Sequence, residues 1–285
     1  RSAMKPYQAL PLLEDGAADA FGFGPEELAL VCASHGGMRR HTSRVAAMLR
    51  KLGMAEADLH CGPHAPFDHD TAQVLSCAGR LPTRLHNNCS GKHAGMLALA
   101  LHNGWTPGGY ERLDHPVQER IRGGLRAWMD FEPEDHEWAL DGCGVPTPRM
   151  PLQEMARAYS RLTRKAREGH ASALAVVNAM TQHPHLTSSP GRVPLQIMEA
   201  TKGRLLAKEG AEGVLCVAAT DDDWGLALKV EDGTIRAVGP ATVELLRRAD
   251  LLRSGELDAL AILATAPIDN TLGEQVGEVT ARRGA

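Results

Sequence analysis

Apolar and polar positions give the chain two textures. In the first two thirds, apolar residues recur mostly at helical spacing. The pattern predicts a short helix over 5–13 ended near Asp15-Gly16, and one carrying Val45, Met48, Leu49 and Leu52 that stops at Gly53. An apolar helix over 91–101 is announced by Asn87-Asn88-Cys89-Ser90, and amphipathic helices are predicted over 115–129, 151–165 and 170–182. Two stretches depart from this. Leu28 to Ala33 is a continuous apolar run closed by Ser34-His35-Gly36-Gly37, the pattern of a buried central strand entering a tight turn. Residues 61–85 are irregular and rich in Pro, His and Gly, which predicts a long loop with a helical piece. The last third reads differently: strands over 214–219, 224–230 and 234–238, with Glu231-Asp232-Gly233 as a hairpin turn, and a helix over 240–252. Strands with helices between and around them predict an α+β fold in which an antiparallel sheet packs against helices, as one domain over 1–285 with a helical subregion.

Composition narrows the function classes. Of 285 residues, 43% are hydrophobic and only 4% aromatic, so a core built from Leu, Ala, Val and Met is affordable. The net charge of −4, with no concentrated basic face, argues against nucleic acid and membrane surfaces as partners. The longest apolar runs, 96–101 and 257–264, are too short or interrupted to span a bilayer. Six cysteines without a CxxC pair are not a disulfide scaffold; reduced cytoplasmic thiols or scattered ligands fit better.

Four segments carry candidate chemistry. Ser2 and Lys5 are three apart, so on a helix a neutral lysine can take the serine proton; a capping serine with a solvated lysine is the plainer reading. Ser34, followed by His35 and two glycines, ends an apolar run where active-site residues often sit; a turn serine beside a partly buried histidine is the plainer reading. Cys89 and Cys143, each in a polar glycine turn, can share a Zn²⁺ with Lys92 or His93 completing the set, against buried free thiols. Lys229, inside an apolar strand, points either into a polar cleft or to solvent.

Together, Arg1-Ser2-Ala3-Met4-Lys5-Pro6, Cys32-Ala33-Ser34-His35-Gly36, Asp58-Leu59-His60-Cys61-Gly62-Pro63, Asn88-Cys89-Ser90-Gly91-Lys92-His93, Asp141-Gly142-Cys143-Gly144-Val145-Pro146-Thr147-Pro148 and Gly210-Ala211-Glu212-Gly213 resemble the asparaginase II family of the rhizobial type. The resemblance implies a serine β-lactamase/glutaminase-like fold, a homodimer, and hydrolysis of L-asparagine to L-aspartate and ammonia. It implies two Ser-Lys pairs, Ser2 with Lys5 and Ser34 with Lys229, and one zinc held by Cys89, Lys92 and Cys143. His93 and Asp141 are then expected at the substrate. Ser188-Ser189-Pro190 stands where the family has a stretch of small residues and glycine, a departure expected to alter access to the cleft.

Two lysines in one cleft depress each other's basicity, so one can act as base. The expected nucleophile is Ser2, with the reverse assignment to Ser34 open. Rival readings are a penicillin-recognising acyl hydrolase or β-lactamase, which lacks its Ser-Asp-Asn and Lys-Thr-Gly elements here, and an inactive zinc-binding fragment. A catalytic Ser2 one residue from a free amine would be poorly held, so further strands are expected upstream of Arg1.

Overall fold

The computed structural model describes residues 1–131, 133–134 and 137–282. In chain order the helices are α1 (Lys5–Glu14), α2 (Ala17–Ala20), α3 (Pro25–Val31), α4 (Arg39–Lys51), α5 (His69–Cys77), α6 (Ser90–His102) and α7 (Pro116–Trp128). Then come α8 (Leu152–Arg167), α9 (Ala171–Gln182), α10 (Pro184–Thr187), α11 (Val193–Ala200), α12 (Val238–Arg248) and α13 (Glu256–Ala259). Among the described residues, three small antiparallel sheets accompany them. β1 (Trp138–Leu140) pairs with β2 (Pro146–Pro148), and β6 (Thr265–Asp269) with β7 (Gln275–Thr280). β3 (Leu205–Gly210), β4 (Val214–Ala219) and β5 (Gly225–Lys229) form a three-stranded sheet in that order. The fold is α+β, as the patterning predicts.

Within the helical layer, α6 is buried from Ser90 to Ala100 and crosses α3 closely. A Cβ at Gly91 would stand 2.3 Å from the Leu30 carbonyl oxygen, so only glycine allows this approach. On the sheet side, α8 lies across β4 and β5, and a Cβ at Gly225 would meet the Ala156 carbonyl at 2.2 Å. One apolar core runs through both layers, from Ala3 to Leu263.

Two predicted strands are not strands. The run Leu28 to Ala33 falls mainly in α3, where Pro25 opens the helix, Glu26 and Glu27 occupy its first turn, and the Gly24 N–H donates to Glu27 Oε2 at 2.9 Å. A short apolar run buried on all sides looks alike as strand or helix, and the start signals decide. Residues 234–238 turn instead of pairing: the Thr234 N–H and hydroxyl both donate to Asp232 Oδ1 at 2.9 Å, and α12 follows.

Candidate active site

The α3–α6 crossing sets the local geometry. It brings the segment leaving α3, with Ser34, beside the segment entering α6, with Asn88 and Cys89. The Ser34 N–H donates to the Thr187 carbonyl at 3.0 Å and the His35 N–H to the Asn88 carbonyl at 3.4 Å, which ties these loops together. A 3₁₀ turn, Ser2–Met4, delivers Lys5 as the first residue of α1, and it packs on β3, which carries Lys208.

Two amines converge on one hydroxyl. Lys208 Nζ donates to Ser34 Oγ at 2.7 Å and to the Glu209 carbonyl at 3.0 Å. Lys5 Nζ donates to the same Ser34 Oγ at 3.2 Å, to Asn88 Oδ1 at 3.3 Å, to the Asn88 carbonyl at 3.4 Å, and to the Ala33 carbonyl. All three side chains are buried. Burial first, then the positive charge of Lys5, pulls Lys208 down to about 7, against the opposing carboxylate of Glu209. Sharing one hydroxyl holds the amines within about 6 Å of each other. At an effective dielectric of about 20, two full charges at that distance repel by roughly 3 kcal/mol, about two pK units, so repulsion and burial act on one scale. Asn88 is oriented by His64, whose Nε2 accepts from the Asn88 N–H and from Asn88 Nδ2, both at 2.9 Å. Its Oδ1 is thereby left facing Lys5.

A second buried cluster adjoins this one. Lys92 Nζ donates to Cys143 Sγ at 2.9 Å, and Cys143 hydrogen-bonds Cys89. That bond, helped by the charges of Lys5 and Lys92, holds Cys89 well below the usual thiol range, while it and burial raise Cys143. Burial opposes charge on Lys92, but Cys89, Cys143 and Asp141 outweigh it and raise its basicity. Asp141 Oδ2 lies 4.0 Å from Cys143 Sγ, and its Oδ1 is paired with Arg1, whose Nη1 reaches Glu212 at 2.6 Å. Burial raises the Asp141 carboxyl, yet Lys92 and Arg1 prevail and hold it below the usual carboxylate range. Two thiols and an amine form a borderline-soft donor set that suits zinc. Among the described residues, no three His, Cys, Asp or Glu side chains gather as a metal site, so the lysine is needed to complete one.

Both clusters open on one cleft of about 240 Å³, lined among others by Ser2, Ser34, Asn88, Cys89, Asp141 and Cys143. In comparison with protein-family models, residues 1–281 match L-asparaginase II. The chain belongs to the L-asparaginase II family. No match is found among curated proteins.

For this member of the family, the expected site residues fall into three groups. Ser2, Ser34, Asp141, Cys89 and Cys143 share the cleft, with Lys5 and Lys92 bonded from behind. The Ser2 hydroxyl makes no hydrogen bond to Lys5; the lysine is spent on Ser34 instead.

His93 is near but not in the cleft. It is fully buried, with Nδ1 bonded to the Tyr110 hydroxyl at 2.7 Å, and that hydroxyl accepts the His60 N–H at 2.8 Å. It braces the loop behind the thiols.

Lys229 is the residue the structure places elsewhere. It is exposed, and its Nζ donates to the Val230 carbonyl at 2.5 Å. The register explains why. Lys208 pairs with Cys216 and Cys216 with Ala227, while Gly210 pairs with Val214 and Val214 with Lys229. Both lysines therefore point to one face of the sheet, but Lys229 sits two strands away, about 9–10 Å. It lines a different, mostly apolar cavity with Met4, Tyr7 and Met155.

Lys208 was absent from the expected set because β3 was not predicted. Its signal was a lysine inside Leu205-Leu206-Ala207-Lys208 just before the Gly210–Gly213 turn. His35 is a clamp: the Gly37 N–H donates to its Nδ1 at 3.1 Å, which leaves Nε2–H to donate to Ser90 Oγ at 2.9 Å. The departing residues Ser188 and Ser189 are buried and do not line the cleft.

Proposed function

We propose that the protein hydrolyses L-asparagine to L-aspartate and ammonia, with Ser34 as nucleophile and Lys208 as its base. The single observation that carries this is the Ser34 hydroxyl held between two buried lysine amines, in a chain of the L-asparaginase II family. Near neutral pH the Lys208 amine can be neutral and accept the Ser34 proton as Oγ attacks the side-chain amide carbon. Lys5, fixed by Asn88 and Ala33, stabilises the developing alkoxide through its bond to Oγ. The C–N bond then breaks, the proton on Lys208 passes to the leaving nitrogen, and ammonia departs. Water, deprotonated by the same amine, releases aspartate from the ester and restores Ser34. Ser2 offers a second hydroxyl to the substrate amide, and Asp141 offers a carboxylate to its ammonium.

Cys89, Lys92 and Cys143 would hold a zinc ion, which when bound supplies positive charge beside the cleft. Lys92 would have to lose its proton to act as a ligand, and its Nζ already lies 2.9 Å from Cys143 Sγ. The homodimer belongs to the same reading and is checked by light scattering. The test of the activity is ammonia release from L-asparagine by purified, zinc-supplied protein, with a hydroxylamine-sensitive aspartyl adduct on the peptide carrying Ser34. Folded protein that releases none contradicts the proposal. An adduct on Ser2 would transfer the nucleophile's role.

A further inference from the structure

The lining of the Ser34 cleft has an arginine that none of the chemistry above uses. Arg192 follows Gly191 and precedes α11. Its Nε donates to Glu209 Oε1 at 2.5 Å, and its guanidinium lies over the Phe67 ring at 4.8 Å. Phe67 in turn stacks on His64, with ring centroids 4.9 Å apart. The guanidinium is thus fixed on one edge and one face. Nη1 and Nη2 make no bond to any protein group among the described residues. Arg192, Glu209, Phe67 and His64 all line the cleft with Ser34.

Arg1, the other arginine in the cleft, is different: its Nε and Nη1 are spent on Asp141 and Glu212. The end-on fork of two N–H groups is the geometry that takes a carboxylate with two parallel bonds. Arg192 and Glu209 also line a neighbouring cavity of about 230 Å³, so their ion pair stands as the partition between it and the Ser34 cleft. A cleft of about 240 Å³ lies below the usual size of drug-like ligand sites, which suits one small zwitterion.

We propose that Arg192 is a specificity-determining residue that binds the substrate's α-carboxylate, so that the enzyme selects free amino-acid amides over peptides and simple amides. Asp141, which lines the same cleft, takes the α-ammonium, and the two contacts fix the side-chain amide against Ser34. The inference rests on the proposed hydrolysis for the identity of the reacting amide, but not for carboxylate binding itself.

The test compares L-asparagine with 3-aminopropanamide, the same molecule without its carboxylate, in wild type, Arg192→Gln and Arg192→Gln/Glu209→Gln. The double variant leaves no unpaired carboxylate and removes two opposing charges near Lys208. L-aspartate binding is measured by calorimetry on the same proteins. The expected result is a KM for asparagine raised on the order of a hundredfold with kcat within a few fold, and aspartate affinity lost to a similar degree. Turnover of 3-aminopropanamide should stay within about threefold in both variants. Equal loss on both amides, or unchanged aspartate binding, overturns the role of Arg192 while leaving hydrolysis standing. Aspartate binding that depends on Arg192 without ammonia release from wild type supports the anchor and overturns the hydrolase reading. Wild type that neither binds aspartate nor releases ammonia overturns both.

Discussion

Around Ser34 two amines crowd one neutral hydroxyl, whereas around Lys92 one amine meets two thiols and a carboxylate. Lys208 and Lys92 are equally sealed from water, and burial lowers both. Their neighbours decide the outcome. Lys5 adds to burial at Lys208 and brings it to about 7; Cys89, Cys143 and Asp141 reverse burial at Lys92. One buried lysine is prepared to accept a proton, and the other to keep one until something replaces it. Burial alone therefore says little about a lysine's role, and the sign of its neighbours says much.

The largest expected effect breaks the Ser34 centre. Ser34→Ala should lower kcat by about ten-thousandfold or more, and Lys208→Met by about a thousandfold, with circular dichroism unchanged. Ser34→Ala retaining more than a tenth of activity would move the nucleophile elsewhere. Lys208→Met should also alter stability in a pH-dependent way. Its folded value of about 7 lies below the ordinary 10.5, so between these values the unfolded chain holds more protons. The wild type pays the full penalty below pH 7 and recovers it as pH rises toward 10.5. The methionine variant should be the more stable by about a few kcal/mol at pH 6, with the gap closing by pH 10. A gap independent of pH in urea unfolding would show that Lys208 is not depressed.

At the thiol cluster the expected effect is on metal rather than on protons. Cys143→Ser should weaken zinc retention more than about a hundredfold, measured by competition with a chelator. Retention equal to wild type would remove the cluster from metal binding. The smallest effect distinguishes the two strand lysines: Lys229→Ala should leave kcat/KM within about twofold. A thousandfold loss there would restore Lys229 to the cleft and displace Lys208.

Much of this was legible in the sequence, and the misses have physical causes. The helices with one polar face, such as α4, α7 and α8, announce themselves by spacing and by their stops. α3 does not, because an apolar run of four to six residues buried on every side carries no period to read. The cleft residues stand out through short motifs, at the start of α6 and in the turn between β1 and β2, which keep their chemistry in local sequence: Asn88-Cys89-Ser90-Gly91-Lys92 and Asp141-Gly142-Cys143. Lys208 and Arg192 were missed since neither belongs to a motif. Lys208 enters through the pairing of β3 with β4, and Arg192 through a stack on Phe67 some 125 residues earlier. Sheet register is a long-range property, and a two-strand displacement separates Lys229 from the lysine on the same face that bonds Ser34.

The most direct test of the account is a side-chain titration of Lys208 itself. Lysines labelled with ¹³C and ¹⁵N at Cε and Nζ are followed by NMR from pH 5 to 10, and the signal is assigned by its loss in Lys208→Met. The account predicts one lysine with a midpoint of about 7, rising toward the ordinary lysine range when Lys5 is replaced by Met. A Lys208 signal that stays protonated through pH 9, or a midpoint unmoved by the loss of Lys5, would contradict it.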